Sequence, residues 1–261
     1  MELLIDIHSH LDHYFFNEDR EKAIENAKKA GVKIIVTSGI NPETNRKALE
    51  LAKEFDIVKP SLGIYPINSL KKEIESGDFP LKPNVFDVEE EIDFIKKNKN
   101  KIVYVGECGL DYYLIKDEKE QKKLFLKMIE LAEKIKKPIL IHSRKAELDC
   151  IDMLESSKLK KIIMHCFTGK KSLVKRIRDN GWFMTIPTCV VRSQQFQDIV
   201  KEVPLTQLFC ETDAPYLSPY KDKRNEPAFI TESYKKIAEI KRMELNEVVN
   251  NIWMNWQKTF Q

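Results

Sequence analysis

The chain has 261 residues, 42% of them hydrophobic, and its 13 Phe, 8 Tyr and 3 Trp stand against only 8 Gly and 11 Pro. That composition supplies a sizeable core and excludes a disordered, collagen-like or linker-dominated polypeptide. The formal charge, 44 basic against 41 acidic residues or +3, is too mild to announce nucleic acid through a basic tail. No apolar run approaches the roughly 18–20 residues of a membrane span. The cysteines, Cys108, Cys150, Cys166, Cys189 and Cys210, are odd in number and form no C-x-x-C pair. A disulfide framework or cysteine zinc cage is therefore not expected, and free thiols in a reducing, cytoplasmic setting are. The opening Leu3-Leu4-Ile5-Asp6 lacks the basic and long apolar regions of a secretion signal.

Along the chain, short Ile- and Val-rich runs alternate with longer charged, amphipathic stretches. The runs at 3–8, 32–38, 57–64, 101–107, 138–142, 161–165, 182–187 and 207–213 have the length and flanking Pro, Gly and Lys of buried parallel strands. A helix over 19–30 sets Ala23, Ala27 and Ala30 at helical spacing before Gly31. Asn41-Pro42 provides an N-cap and first-turn proline for a helix over 42–55. Further helices are predicted at 87–99, 117–136, 145–157, 170–180, 193–202 and 229–240. A last one, 244–258, carries Val248, Ile252, Trp253 and Trp256 on one side, which reads as packing. The stretch 66–86, with Pro66, Gly77, Pro80 and Pro83, is the longest predicted loop. Eight strand–helix units predict one domain over 1–261, a TIM-type (β/α)₈ barrel with an extra C-terminal helix. A doubly wound open sheet competes, but no strand is followed by G-x-G-x-x-G.

Polar residues at the strand ends carry the chemistry. Asp6, His8 and His10 alternate along strand one and so share a face. Strands four, five, six and eight end in Glu107, His142, His165 and Asp213. In barrel enzymes the carboxyl ends of the strands converge on the active site. Four of the five histidines fall at these places, and imidazoles with carboxylates are common ligands of divalent metals. Four imidazoles and two carboxylates exceed one ordinary ion, whereas two ions bridged by a carboxylate use them all. His13 lies beyond the strand-one turn and reads as loop or surface, while Cys108 and Cys166 follow ligand-type residues and read as core. Lys170, Lys171, Lys175, Arg176 and Arg178 read as a solvated helix face.

These residues lie in blocks that resemble the TatD-type metal-dependent deoxyribonucleases, a branch of the barrel metallohydrolases. The blocks are IDIHSHLD from Ile5, VGECGLDYY from Val105, PILIHSRKA from Pro138, MHCFTG from Met164, ETDAPYLSP from Glu211 and RNEP from Arg224. The resemblance implies that His8 and His10 bind one metal with Asp213, that Glu107 bridges to a second ion, and that His142 and His165 complete the second site. It implies two divalent ions, of magnesium, manganese or zinc. Nitrogen-rich ligation favours zinc or manganese by softness, whereas the family is described as magnesium-dependent. The implied reaction is hydrolysis of DNA phosphodiester bonds, with DNA as substrate partner and no membrane or obligate protein partner. Asp213 is the expected general base, and Asp6 is expected to orient His8 or His10. Arg144, Arg224 and Asn225 are expected to contact phosphate. One departure concerns strand three, where the family's G-x-H-P-H reads Gly63-Ile64-Tyr65-Pro66-Ile67. Tyr65 is expected to line the substrate cleft and position a phosphate oxygen through its hydroxyl. The rival readings are a metal-dependent hydrolase of another ester or amide, in a small metabolite or a mischarged aminoacyl-tRNA, and a catalytically silent barrel.

Overall fold

A computed structural model describes residues 3–66, 86–113 and 117–261; Ile67 and most of the predicted 66–86 loop lie outside the described residues. Among the described residues eight parallel strands alternate with helices: β1 (Leu4–Ser9), β2 (Val32–Ser38), β3 (Val58–Ser61), β4 (Val105–Asp111), β5 (Ile139–Arg144), β6 (Ile162–Met164), β7 (Phe183–Pro187) and β8 (Leu208–Glu211). The helices are α1 (Arg20–Lys29), α2 (Pro42–Glu54), α3 (Val88–Lys97), α4 (Glu118–Ile135), α5 (Glu147–Glu155), α6 (Lys171–Asp179), α7 (Gln194–Glu202), α8 (Ile230–Lys241) and α9 (Leu245–Phe260). The strands pair in order from β1 to β3 and from β4 to β8. A bridge between Leu62 and Val105 joins the two arcs. The Asp213 N–H donates to the His8 carbonyl at 2.9 Å and the His10 N–H to the Ala214 carbonyl at 2.8 Å, which closes the ring. This is the expected (β/α)₈ barrel with an additional C-terminal helix. No helix among the described residues is long and apolar enough to cross a membrane.

Local chemistry accounts for the elements. Asn41 caps α2 by accepting from the Thr44 N–H, with Pro42 in the first turn. Alternate residues of β1 face opposite ways: Ile5 and Ile7 join the apolar core on one face, while the buried Asp6 and His8 share the other. On α9, Trp256 is buried and its ring lies 4.5 Å from that of Phe260, which in turn packs against Phe209. Arg176 pairs with Glu155 and Asp152, and Arg178 with Glu202 and Asp179, as a charged helix face does.

Several strand limits and one polar role differ from the sequence reading: β3 stops at Ser61, β5 runs past His142 to Arg144, and β6 stops at Met164, one residue short of His165. β4 does not end at Glu107 but continues to Asp111, because Gly109 and Asp111 pair in register with His142 and Arg144 of β5. β8 stops at Glu211, and Asp213 adopts a left-handed φ of 54° that no strand continues through. Asp6 does not orient an imidazole. Its carboxylate accepts the Thr212 N–H at 2.8 Å and the Thr212 hydroxyl at 2.5 Å, and so latches β1 to the end of β8.

Gly109 permits the β4–β5 approach. It has a φ of +145°, and a Cβ there would stand 2.0 Å from the His142 carbonyl oxygen. Gly109→Ala is therefore expected to lower stability by about 1–3 kcal/mol through overpacking, read as a lower denaturant midpoint at constant slope. An unchanged midpoint would show that β4 can shift without consequence.

Candidate metal centre

Each of the four imidazoles gives one ring nitrogen to an outward partner and turns the other inward. His8 Nδ1 lies 2.9 Å from Ser38 Oγ. Tyr104 donates to the Ile7 carbonyl and Ser61 donates to Ser38, so the Ser38 hydroxyl donates to Tyr104 and accepts from His8 Nδ1–H. His10 Nδ1–H donates to the Ser38 carbonyl at 3.1 Å. His165 Nδ1–H donates to Glu211 Oε2 at 2.7 Å. His142 Nε2–H donates to Asp111 Oδ2 at 2.9 Å.

The inward nitrogens surround Glu107. Its Oε2 lies 3.5 Å from His8 Nε2 and 3.4 Å from His10 Nε2, and its Oε1 lies 2.9 Å from His142 Nδ1 and 3.9 Å from His165 Nε2. Asp213 Oδ1 approaches the same pair from the other side, 3.4 Å from His8 Nε2 and 3.5 Å from His10 Nε2. Candidate ligand atoms therefore gather in two overlapping groups, His8, His10 and Asp213, and His8, Glu107 and His165. His142 reaches the second group through Glu107 Oε1.

A divalent metal fits this donor set. His8 Nε2 is buried with no hydrogen-bond partner, a costly state for a polar atom unless an ion is meant to face it. Ligand atoms about 2.1 Å from a tetrahedral ion lie about 3.4 Å apart, which matches the spacing among His8, His10, Glu107 and Asp213. The electrostatics agree. Burial opposes charge on His8, yet Asp213 and Glu107 push its pKa up to about 9. Burial likewise opposes charge on His142, which Asp111 and Glu107 also push up to about 9. Burial would raise Glu107, but His10, His142 and His8 hold it well below the usual carboxylate range. The carboxylates thus collect positive charge from protons where ions would otherwise supply it.

The expected substrate contacts fare differently. The Tyr65 hydroxyl donates to Asp111 Oδ2 at 2.9 Å and lies 3.0 Å from His142 Nε2. Tyr65 is itself buried, so it braces a ligand-type histidine rather than lining the cleft. Arg144 keeps a 39% exposed side chain, but its Nε donates to Asp111 at 2.7 Å. Arg224 forks onto Asp19 at 2.8 Å and stacks over Phe16. Asn225 is fully buried, and its amide donates to Thr188 Oγ1 and to the Thr212 and Tyr216 carbonyls. It pins the loop after β8, and the phosphate contact expected of it is sterically closed. His13 is in the loop as expected but buried, with Tyr216 and the Phe15 N–H on its two nitrogens.

Asp111 and Glu211 were not singled out from the sequence. The signal was the two-residue period: Glu107, Gly109 and Asp111 alternate along β4, and Glu211 precedes Asp213 by two. Cys108 is core, while Cys166 is half-buried and donates its N–H to Thr185 and Glu211.

Residues 5–261 match the family model of the TatD related DNase. A metal-dependent hydrolase of Methanocaldococcus jannaschii is 36% identical over 259 residues, covering 98% of this chain and 96% of that one. Human deoxyribonuclease TATDN3 is 32% identical, covering 98% of this chain and 94% of its own. The crystal structure of YJJV, a TatD homolog from Escherichia coli, superposes with a TM-score of 0.84 at 23% identity, covering 98% of this chain and 97% of that one.

Because His8 and His142 hold protons up to about 9, a divalent ion competes with protons below that pH. Affinity of the metal-depleted protein for Zn²⁺ is expected to rise as pH increases toward 9, with protons released on binding. Calorimetry in buffers of different ionisation enthalpy checks this; a pH-independent affinity without proton release would count against these imidazoles as ligands.

Proposed function

This chain belongs to the TatD related DNase family of metal-dependent hydrolases, and we propose that it hydrolyses phosphodiester bonds of DNA. The observation that carries the reading is the convergence of four imidazole nitrogens on Glu107 and Asp213. The name of the human relative, a deoxyribonuclease, supports DNA as the substrate class. The residues divide as one set of His8, His10 and Asp213 and another of His142 and His165, with Glu107 between them. Two divalent ions held there would supply Lewis acidity, lowering the pKa of water and neutralising charge on the phosphoryl group.

The protein's own groups do the rest. Asp213 is the general base and takes the proton of the attacking water. Its side chain is 15% exposed against 5% for Glu107, so it is the more open of the two carboxylates. Burial would raise its pKa, but His10 and His8 hold it below the usual carboxylate range, so it is ionised. Glu107 stays buried among the imidazoles and serves as the common anchor. Arg144, part-exposed beside Asp111 and with its guanidinium 4.9 Å from the Tyr113 ring centre, offers positive charge at the rim for a phosphate. Five free cysteines suit a reducing, cytoplasmic location.

The test reloads metal-depleted protein with Mg²⁺, Mn²⁺ or Zn²⁺ singly and assays labelled single-stranded DNA, duplex DNA and a phosphodiester reporter. Cleavage of DNA with at least one ion is expected; cleavage of carboxylic esters alone would favour the rival hydrolase reading. Asp213→Asn should reduce turnover by roughly 10²–10⁴ and weaken metal binding, because an amide cannot accept the proton. Wild-type turnover at full metal occupancy would remove Asp213 from the mechanism.

A further inference from the structure

The outward partners of the four imidazoles are not alike. His8 and His10 are both backed by neutral oxygens of Ser38, its hydroxyl at 2.9 Å and its carbonyl at 3.1 Å. His142 and His165 are each backed by a carboxylate, Asp111 at 2.9 Å and Glu211 at 2.7 Å. Both carboxylates are fully buried. Burying a carboxylate carries a desolvation penalty of several kcal/mol, and the Ser38 carbonyl orients an imidazole without one. Orientation alone therefore does not explain why the direct ring-nitrogen partners of His142 and His165 carry charge while those of His8 and His10 do not.

The inner layer supplies the complement. His8 and His10 share Asp213 at 3.4 and 3.5 Å. His142 and His165 share Glu107 Oε1, whose second oxygen is turned to His8 and His10. One half of the centre thus has a carboxylate of its own among the inward groups, and the other has only part of Glu107. A carboxylate that accepts an imidazole N–H strengthens the donor at the opposite ring nitrogen. We propose that Asp111 and Glu211 are positioning residues that deliver negative charge through His142 and His165, and so create the second of two divalent-cation positions. Tyr65 belongs to the same device: its hydroxyl donates to the Asp111 oxygen that holds His142. Arg144 offsets part of the charge on Asp111. Glu211 has a backbone N–H and His165 as its hydrogen-bond donors. Glu211 is therefore the stronger contributor.

The proposal rests on the two-ion reading of the site, but not on the identity of the substrate. Its test is calorimetric titration of the metal-depleted full chain with Zn²⁺, together with ¹⁵N spectra of the histidine rings in the zinc-loaded protein. Two binding steps are expected in the unsubstituted chain. Asp111→Asn and Glu211→Gln should each weaken the same step by about 10–100-fold, Glu211→Gln the more, and leave the other within twofold. Asp213→Asn should weaken the other step. The His142 Nε2–H resonance should move in Asp111→Asn and stay in Asp213→Asn, a signature that general loosening would not produce. Tyr65→Phe keeps every charge and should shift the same step by roughly two- to tenfold, which preserves the test if a carboxylate variant does not fold. Movement of both steps together, or of neither, overturns the proposal. A single zinc step in the unsubstituted chain overturns the two-ion reading and this proposal with it. Two steps that separate as described, in a protein that cleaves no DNA, uphold the proposal while removing the substrate assignment.

Discussion

One buried carboxylate sets the terms for the rest of this structure. Glu107 is surrounded by the inward nitrogens of four histidines from three different strand ends. A charge in that position is tolerable only if every neighbour presents the correct atom, because an unpaired buried carboxylate is strongly destabilising. The imidazoles cannot choose their orientation from inside the site, where all partners are acidic. They are oriented from outside, by Ser38, Asp111 and Glu211. The backbone must in turn come close enough for this second layer to reach. Gly63 shows how close: a Cβ there would stand 2.4 Å from the carbonyl oxygen of Glu107. Such proximity leaves no room for a side chain at position 63, just past the end of β3, whatever its chemistry.

The barrel was legible because its signal is repetitive. Short apolar runs separated by amphipathic stretches recur through the chain, and each repeats the same physical instruction. The inward residues His8, His10, Glu107, His142, His165 and Asp213 were legible because their chemistry has few uses in an apolar core. What the sequence did not disclose was competition. Tyr65, Arg224 and Asn225 have the right chemistry to meet a phosphate, and each sits after a strand. In the folded chain Asp111, Asp19 and the Thr212 and Tyr216 carbonyls already occupy their polar groups. The partners of Tyr65 and Arg224 are 46 and 205 residues away, and those of Asn225 lie 9 and 13 residues back across its own loop, spacings that no strand or helix period announces. Asp6 is the same case: Thr212, 206 residues away, claims the carboxylate. The strand limits failed for a related reason. β4 runs on past Glu107 because β5 offers a pairing partner, a property of the sheet and not of the segment.

The arrangement also separates roles that a list of ligands would merge. Asp213 and Glu107 are both carboxylates facing His8 and His10, yet they sit differently. Glu107 lies within a strand and is enclosed. Asp213 lies past the end of one, on a left-handed residue, with more of its side chain open. Enclosure suits a group that must keep its charge and position. Partial exposure suits the proton-accepting role proposed for Asp213, because a group in that role must return its proton to solvent.

The barrel is sealed between its first and last strands, and the seal runs through the centre itself. His10 and Asp213 are joined to each other's segments by backbone hydrogen bonds, and Asp6 reaches Thr212 across 206 residues. During synthesis, the N-terminal histidines therefore wait for nearly the whole message to be read before Asp213 exists. At about 5–20 residues per second that interval is roughly 10–40 s. Throughout it a ribosome-bound chain carries imidazoles able to meet ions but no completed centre. The arrangement is complete only once Asp213 has been added, and a chain that stops short of it lacks the second carboxylate that faces His8 and His10.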